Sequence, residues 1–340
     1  LDWLENYIFP TEKKFANAAY AEKHTSFFLK QLLKNGTTTA FVYPAVYDVS
    51  VETLFDQASQ LNMRLISGKT WMDRNAPDFL IESPEKSYDS SVRLIEKYHQ
   101  KERLHYAVTP RYAVTSSPES LQLASALLRE FDDLYVQTHI SENKKEVALV
   151  NSFHPANHHY LDVYDRYGLL TPKTLLGHGI FLNDDELKRI AEVGASIVHC
   201  PTSNLFLGSG LFNYLKVLDN RIPVAVGSDV GAGTSFSMLQ NLHDAYKISA
   251  LQGIPMLPEQ AFYFMTLGGA RALKLDDHIG NFDTGKEADF VVIDPSQNEL
   301  LNYRLDHAES LQEILFSLII LGDERIIKET CIMGEPVLQN

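Results

Sequence analysis

Thr138-His139-Ile140-Ser141-Glu142-Asn143 follows directly on the apolar run Leu134-Tyr135-Val136-Gln137, and the reading of this stretch decides the fold. The run has the length and residue types of a β-strand, and the period of two turns His139 to the face opposite Val136 and Thr138. The same arrangement recurs twice. Leu176-Gly177-His178-Gly179 continues Thr174-Leu175, and Gly227-Ser228-Asp229 continues Val224-Ala225-Val226. Each apolar run thus ends on an imidazole or a carboxylate. In a parallel barrel the C-terminal strand ends share one face, where catalytic groups collect.

Seven strand candidates precede or include these: residues 37–45, 64–72, 105–115, 134–141, 174–180, 196–201 and 223–229. Their starts lie roughly 20–40 residues apart, the period of a β-α unit. The intervening stretches carry helix signals. Asn35-Gly36 is a C-terminal stop before the first strand, and a helix is expected over Val51 to Leu61. Ser117-Pro118-Glu119 sets an N-cap before a first-turn proline, and Asn183 with Glu186 forms a capping box for a helix over Asp184 to Val193. The expected fold is α/β, a (β/α)8 TIM-type barrel whose first strand is absent from the chain and would precede Leu1. Helices are expected over Met238 to Leu251 and Pro258 to Leu273. Short strands at Phe290 to Asp294 and within Arg325 to Gln339 are too small for a core of their own. They predict part of a small flanking β-domain over 280–340, after a barrel over 1–279.

The chain has 340 residues, 45% of them hydrophobic, enough for the core of one large enzyme domain. Its 30 Lys and Arg against 44 Asp and Glu give a formal charge of -14, which argues against nucleic acid and anionic membrane surfaces as partners. The basic pair Lys144-Lys145 is interrupted at once by Glu146. Cys200 and Cys331 are the two cysteines, and neither belongs to a C-x-x-C pair. That excludes a disulfide framework and a thiolate zinc site and fits a reducing, cytoplasmic compartment. No apolar run approaches the length of a membrane span. The chain opens at Leu1 rather than Met and reads as truncated.

His139 with Glu142 three residues on is the pattern of a metal ligand beside an acid-base carboxylate. His178 between two glycines has room for close approach, and Asp229 precedes the glycine-rich Val230-Gly231-Ala232-Gly233. Each alone has a structural explanation: a buried strand-end His, a His in a glycine turn, a helix-capping Asp. Together they suggest hydrolysis at a metal ion, which lowers the pKa of its bound water from about 15.7 towards about 7. Arg111 in Thr109-Pro110-Arg111-Tyr112 can fork two hydrogen bonds to a planar acceptor edge or form a salt bridge at the barrel mouth. His199 is read as structural, with Pro201-Thr202-Ser203-Asn204 as a tight loop after it. His154, His158 and His159 are read as surface residues, as is His24.

With these residues in hand, the chain resembles the amidohydrolase superfamily and, within it, the guanine deaminase family. The likeness runs over essentially the whole sequence. It is carried most specifically by Thr109-Pro110-Arg111-Tyr112 and Thr138-His139-Ile140-Ser141-Glu142-Asn143. It extends through His178-Gly179, His199-Cys200-Pro201-Thr202-Ser203-Asn204 and Gly227-Ser228-Asp229-Val230-Gly231. The resemblance implies one zinc ion per subunit held by His139 and Asp229, with Glu142 shuttling protons and His178 orienting the attacking oxygen. It implies catalysis by Glu142, His178 and Asp229, and a substrate pocket of Arg111, Tyr112, His139, Glu142 and Asp229. The family's H-x-H ligand pair is missing, since the chain starts downstream of it. The implied reaction is hydrolytic deamination of guanine in purine catabolism, by a homodimer. The alternatives are an aminohydrolase or chlorohydrolase of the same superfamily acting on a nucleoside, pyrimidine or triazine, and a metal-free barrel serving as a binding scaffold.

Overall fold

The computed structural model describes residues 4–339. The chain forms two compact units, Leu1–Leu29 with Thr39–Gly177 and Lys30–Thr38 with His178–Asn340.

The first unit is built on parallel strands: β1 (Thr39–Val42), β2 (Arg64–Ser67), β3 (Thr70–Trp71), β4 (Leu104–Pro110), β5 (Tyr135–Ile140) and β6 (Thr174–His178). Their order is β1-β2-β4-β5-β6, with β3 pairing β4. The β1–β2 ladder sets Thr39 against Arg64, and the β4–β5 ladder sets Ala107 against Tyr135. Helices Asp48–Gln60, Pro84–Tyr98, Pro118–Glu130 and Lys144–Phe153 follow β1, β3, β4 and β5. Every residue of β2, and every residue of β4 except His105, is buried, as expected in a parallel sheet, whose strands are covered on both faces. The sequence stretch 64–72 is not one strand. It bends at Gly68, where a Cβ would lie 1.8 Å from the Ala107 carbonyl oxygen, so only glycine fits between β2 and β3.

The second unit holds the parallel pair β7 (Ser196–His199) and β8 (Val224–Val226), in register Ile197 to Val224 and His199 to Val226. Among the described residues β1 pairs only β2 and β8 pairs only β7. A separate antiparallel sheet has the order β11-β10-β9, from Phe290–Ile293 (β9), Ile327–Ile332 (β10) and Glu335–Gln339 (β11). It has no independent core: Ile326 and Ile327 pack with Leu239, Leu301 and Leu318, with Val291 and Ile293 alongside. Gly36, at φ +81°, ends the preceding helix through Thr37 N to Leu32 O (2.9 Å) and Gly36 N to Leu33 O (3.0 Å). Thr330 Oγ1 donates to Leu33 O at 2.7 Å and fastens this turn to the sheet.

The caps at Ser117, Asn183 and Asn143 form through side chains accepting from Ser120 N, Glu186 N and Glu146 N. The stretch 258–273 departs from expectation. It forms two helices, Pro258–Met265 and Leu267–Ala272, because Thr266 leaves helical geometry at φ -121°, ψ -108°. Thr202-Ser203-Asn204, expected as a tight loop, is instead part of the helix Pro201–Phe206, which proline opens at its first turn.

His105 marks a pH dependence in the fold. Burial pushes its imidazole down to about 4, helped by the Arg64 cation, and its Nδ1 is buried without a partner. The folded protein therefore keeps His105 neutral where the unfolded chain, with a pKa near ~6.5, already binds a proton. Stability falls as pH falls from about 6.5 towards 4. Between pH 7 and pH 5 this residue should account for about 1–2 kcal/mol, allowing for solvent screening of its exposed part. Urea unfolding at both pH values should show a smaller loss in His105→Gln; an unchanged loss would remove the attribution.

Candidate active site

In the first unit the strand ends gather Arg111, Tyr112, His139 and Glu142. The Arg111 carbonyl oxygen accepts from His139 N at 3.1 Å and lies 2.7 Å from His139 Nδ1. An acceptor there places the ring proton on Nδ1 and the lone pair on Nε2, the tautomer in which outer partners orient metal-binding imidazoles. The Tyr43 ring lies 4.5 Å from the His139 ring, and a Cβ at Gly177 would make ordinary van der Waals contact with His139 Cδ2 at 3.6 Å.

Arg111 is not a bare cation. Its Nη1 donates to both carboxylate oxygens of Glu12, at 2.8 and 2.9 Å, and the guanidinium lies over the Phe9 ring at 5.5 Å. Because both bonds use Nη1, the Nε–Nη2 edge remains for a ligand. Tyr112 is buried, and burial, with the carboxylates of Glu146, Glu142 and Glu5 against the opposing pull of Arg111, pushes its hydroxyl up to about 12. It is a neutral phenol at physiological pH.

Glu142 and Glu146 sit four residues apart with different roles. Glu146 is 3% exposed; its carboxylate accepts from Glu142 N (2.9 Å), Asn143 N (3.4 Å) and Tyr160 Oη (2.7 Å). It closes the capping box of helix Lys144–Phe153 and thereby fixes the backbone of Glu142. Glu142 itself is half-buried just before that N-cap.

In the second unit, a ring nitrogen of His178, Cys200 Sγ and a carboxylate oxygen of Asp229 lie within 4.8 Å of one another. His139 is not in this group. His178 and Asp229 leave their strands with φ of +69° and +49°, and Ser141 does the same after β5 at +50°. Such left-handed backbone is uncommon outside glycine and is concentrated at functional sites. The turn after Asp229 closes through Ala232 N to Asp229 O (3.1 Å) and Gly233 N to Asp229 O (2.5 Å). A Cβ on Gly233 would meet Ser228 O at 1.7 Å. His178 Nδ1 lies 2.9 Å from the side-chain nitrogen of Asn204. His199 is structural: fully buried, stacked on Phe212 at 4.5 Å and joined to Tyr214 Oη at 2.6 Å, with burial lowering its pKa to about 3.

The His139 imidazole, the Asp229 carboxylate and the Cys200 thiol are donor types that a divalent borderline-soft ion takes, so the residues fit zinc, while His178 spends Nδ1 on Asn204. The absence of a C-x-x-C pair rules out only a thiolate site built from one local motif. It does not exclude Cys200, because these ligand atoms come from the ends of three strands rather than one local motif. Cys200, Asn204, Glu12 and Glu146 are the residues that sequence reasoning passed over. The only signals were Cys200's place directly after a strand-end His and Glu146's place three residues beyond Asn143.

A model of the amidohydrolase family matches residues 1–337. The chain belongs to the amidohydrolase family. Its members are metal-dependent hydrolases. The chain is 49% identical to guanine deaminase of Escherichia coli over 339 residues, covering 100% of this chain and 77% of that one. The solved structure of the E. coli enzyme superposes with a TM-score of 0.98 over 99% of this chain and 79% of its own. Human guanine deaminase is 36% identical over 351 residues, spanning 99% of this chain and 77% of its own. A guanine deaminase from C. acetobutylicum, solved with guanine in its active site, is 34% identical at a TM-score of 0.92, covering 99% and 80%.

The two neighbouring carboxylates separate by substitution. Glu146→Ala removes three accepted hydrogen bonds from a buried position and should cost roughly 2–4 kcal/mol of stability, while Glu142→Gln should change it by less than about 1 kcal/mol. Denaturant unfolding measures both; equal effects would contradict the division.

Proposed function

We propose that this protein is a zinc-dependent guanine deaminase, hydrolysing guanine to xanthine and ammonia, with one zinc ion per subunit. We place it in the cytoplasm, in purine breakdown, as a homodimer; these last assignments rest on family resemblance. The observation that carries the reading is the match of the whole of this chain to guanine deaminases, at 49% identity in E. coli and at 34% in the relative solved with guanine. The reaction breaks a carbon–nitrogen bond.

His139 and Asp229 are the proposed zinc ligands from this chain. When bound, the metal makes water nucleophilic at neutral pH. The chain's own residues do the rest. Guanine presents O6 and N7 as adjacent acceptors, which the Nε–Nη2 edge of Arg111 matches while Glu12 holds Nη1. The neutral Tyr112 packs beside the ring and contributes buried area. Glu142 in its acid form protonates ring nitrogen N3 as water adds at C2, and Asp229 takes the proton that water loses. That proton then goes to the exocyclic amine, which leaves as ammonia while the C2 hydroxyl gives its proton to the Glu142 carboxylate, so that xanthine forms with its C2 carbonyl and Glu142 is restored to its acid form. Proton transfer of this kind contributes about 10²–10⁴-fold.

Adenine sets a donor amine where guanine has O6, donor against donor, and should be rejected. Ammonia release assayed with guanine, adenine, cytosine and a triazine should favour guanine; preference for any other would end the substrate assignment. Arg111→Ala should cost roughly 2–4 kcal/mol of transition-state stabilisation, read from the fall in kcat/KM, and Glu12→Gln less, since the guanidinium loses only its anchor. Glu142→Gln should abolish turnover while calorimetry still detects guanine binding.

A further inference from the structure

Asn204 is fully buried on the short helix Pro201–Phe206, and its backbone is tied at both ends, N to Cys200 O and O to Ser209 N, each at 2.9 Å. The helix is pinned further by Thr202 Oγ1 to Asn241 Oδ1 at 3.0 Å. The Asn204 side chain therefore has little freedom. Its Nδ2 lies 2.9 Å from His178 Nδ1, while its Oδ1 is buried without a hydrogen-bond partner.

An amide nitrogen can only donate, so His178 Nδ1 must present a lone pair to it. Reversing the amide would bring Oδ1 to Nδ1 and bury the NH2 where Oδ1 now finds no partner. That exchanges an unused acceptor for unused donors, and orphaned buried N–H groups are the rarer of the two. The orientation with nitrogen towards His178 is the one the surroundings favour.

We propose that Asn204 is a positioning residue that holds His178 as the Nε2–H tautomer. The proton of a neutral imidazole sits on the nitrogen that its partner does not occupy. With Nδ1 engaged, Nε2 is the nitrogen turned to serve the group with Asp229, and it meets the attacking oxygen as a hydrogen-bond donor. It cannot take that oxygen's proton without becoming a cation, so proton movement is left to Asp229 and Glu142. This deepens the deaminase reading of the site and rests on it for its consequence, though not for the tautomer itself.

The test is long-range ¹H–¹⁵N correlation on the zinc-loaded protein labelled at histidine nitrogen, with His178→Gln to assign the resonances. Nδ1 of His178 should resonate as an unprotonated ring nitrogen and Nε2 as a protonated one. Asn204→Asp offers only acceptors and should invert this pattern; Asn204→Leu should leave a mixture. In both, kcat for guanine should fall about 10–100-fold, the usual effect of losing an outer partner, with KM changed less than about twofold. A wild-type spectrum with Nδ1 protonated overturns the proposal, as does Asn204→Asp with an inverted pattern and wild-type kcat. If neither variant folds, the wild-type spectrum decides alone. The expected tautomer in a protein that does not deaminate guanine would sink the deaminase reading and leave the tautomer assignment standing.

Discussion

In β2 and β4 every residue except His105 is buried, so these strands have no side on which an unpaired charge can rest. Polar groups inside such a sheet must find partners within it, as Gln137 does by donating to Val42 O and Thr109 Oγ1, both at 3.0 Å. Reactive side chains are therefore pushed to the strand ends, where the ladder stops and the chain must turn. That constraint explains why Arg111, His139, His178 and Asp229 all lie within a few residues of a strand's last position. It also bears on their backbone: the chain leaves β5, β6 and β8 through left-handed residues, Ser141, His178 and Asp229.

A second regularity follows. His139, Arg111 and His178 each commit one polar atom to an anchor within the protein. His139 gives Nδ1 to the Arg111 carbonyl, Arg111 gives Nη1 to Glu12, and His178 gives Nδ1 to Asn204. Glu142 is positioned by its backbone nitrogen, which donates to Glu146. A hydrogen bond of this sort contributes only about 1 kcal/mol to stability, but it removes rotamer freedom from a group that must meet a substrate in one geometry. The anchors are buried or half-buried, which keeps competing water away from them.

Legibility in the sequence follows the range of the interaction. All seven strand positions could be read because a short apolar run set between helical stretches is a local signal. The same holds for the caps at Ser117 and Asn183, where donor and acceptor lie three residues apart. The break at Thr266 could not, since that stretch reads as continuously helical and the interruption lies in backbone dihedrals. Nor could the Glu12–Arg111 pair, separated by 99 positions, or the Asn204–His178 bond, separated by 26. Asn204 was visible as a polar residue after His199-Cys200-Pro201, but the helix that aims it cannot be told from a tight loop over four residues. Site chemistry was legible where one strand end carried it, and hidden where two distant segments share it.

The left-handed strand exits carry the argument one step further. Each costs on the order of 1–3 kcal/mol at a residue other than glycine, and glycine would relieve that cost at once. At 178 and 229 the chain places His and Asp instead, and puts glycine beside them: Gly179 at φ +61°, Gly231 at φ +127°, and Gly233, where no Cβ can fit. The neighbouring glycines take the turns that would otherwise force larger distortions. What remains is the strain of the two functional residues themselves, tolerated because His and Asp are among the side chains that adopt this conformation most readily. Positive φ alone does not mark a site, since Arg221 and Lys274 carry it too; what sets His178 and Asp229 apart is the group they form with Cys200, with ligand atoms within 4.8 Å of one another.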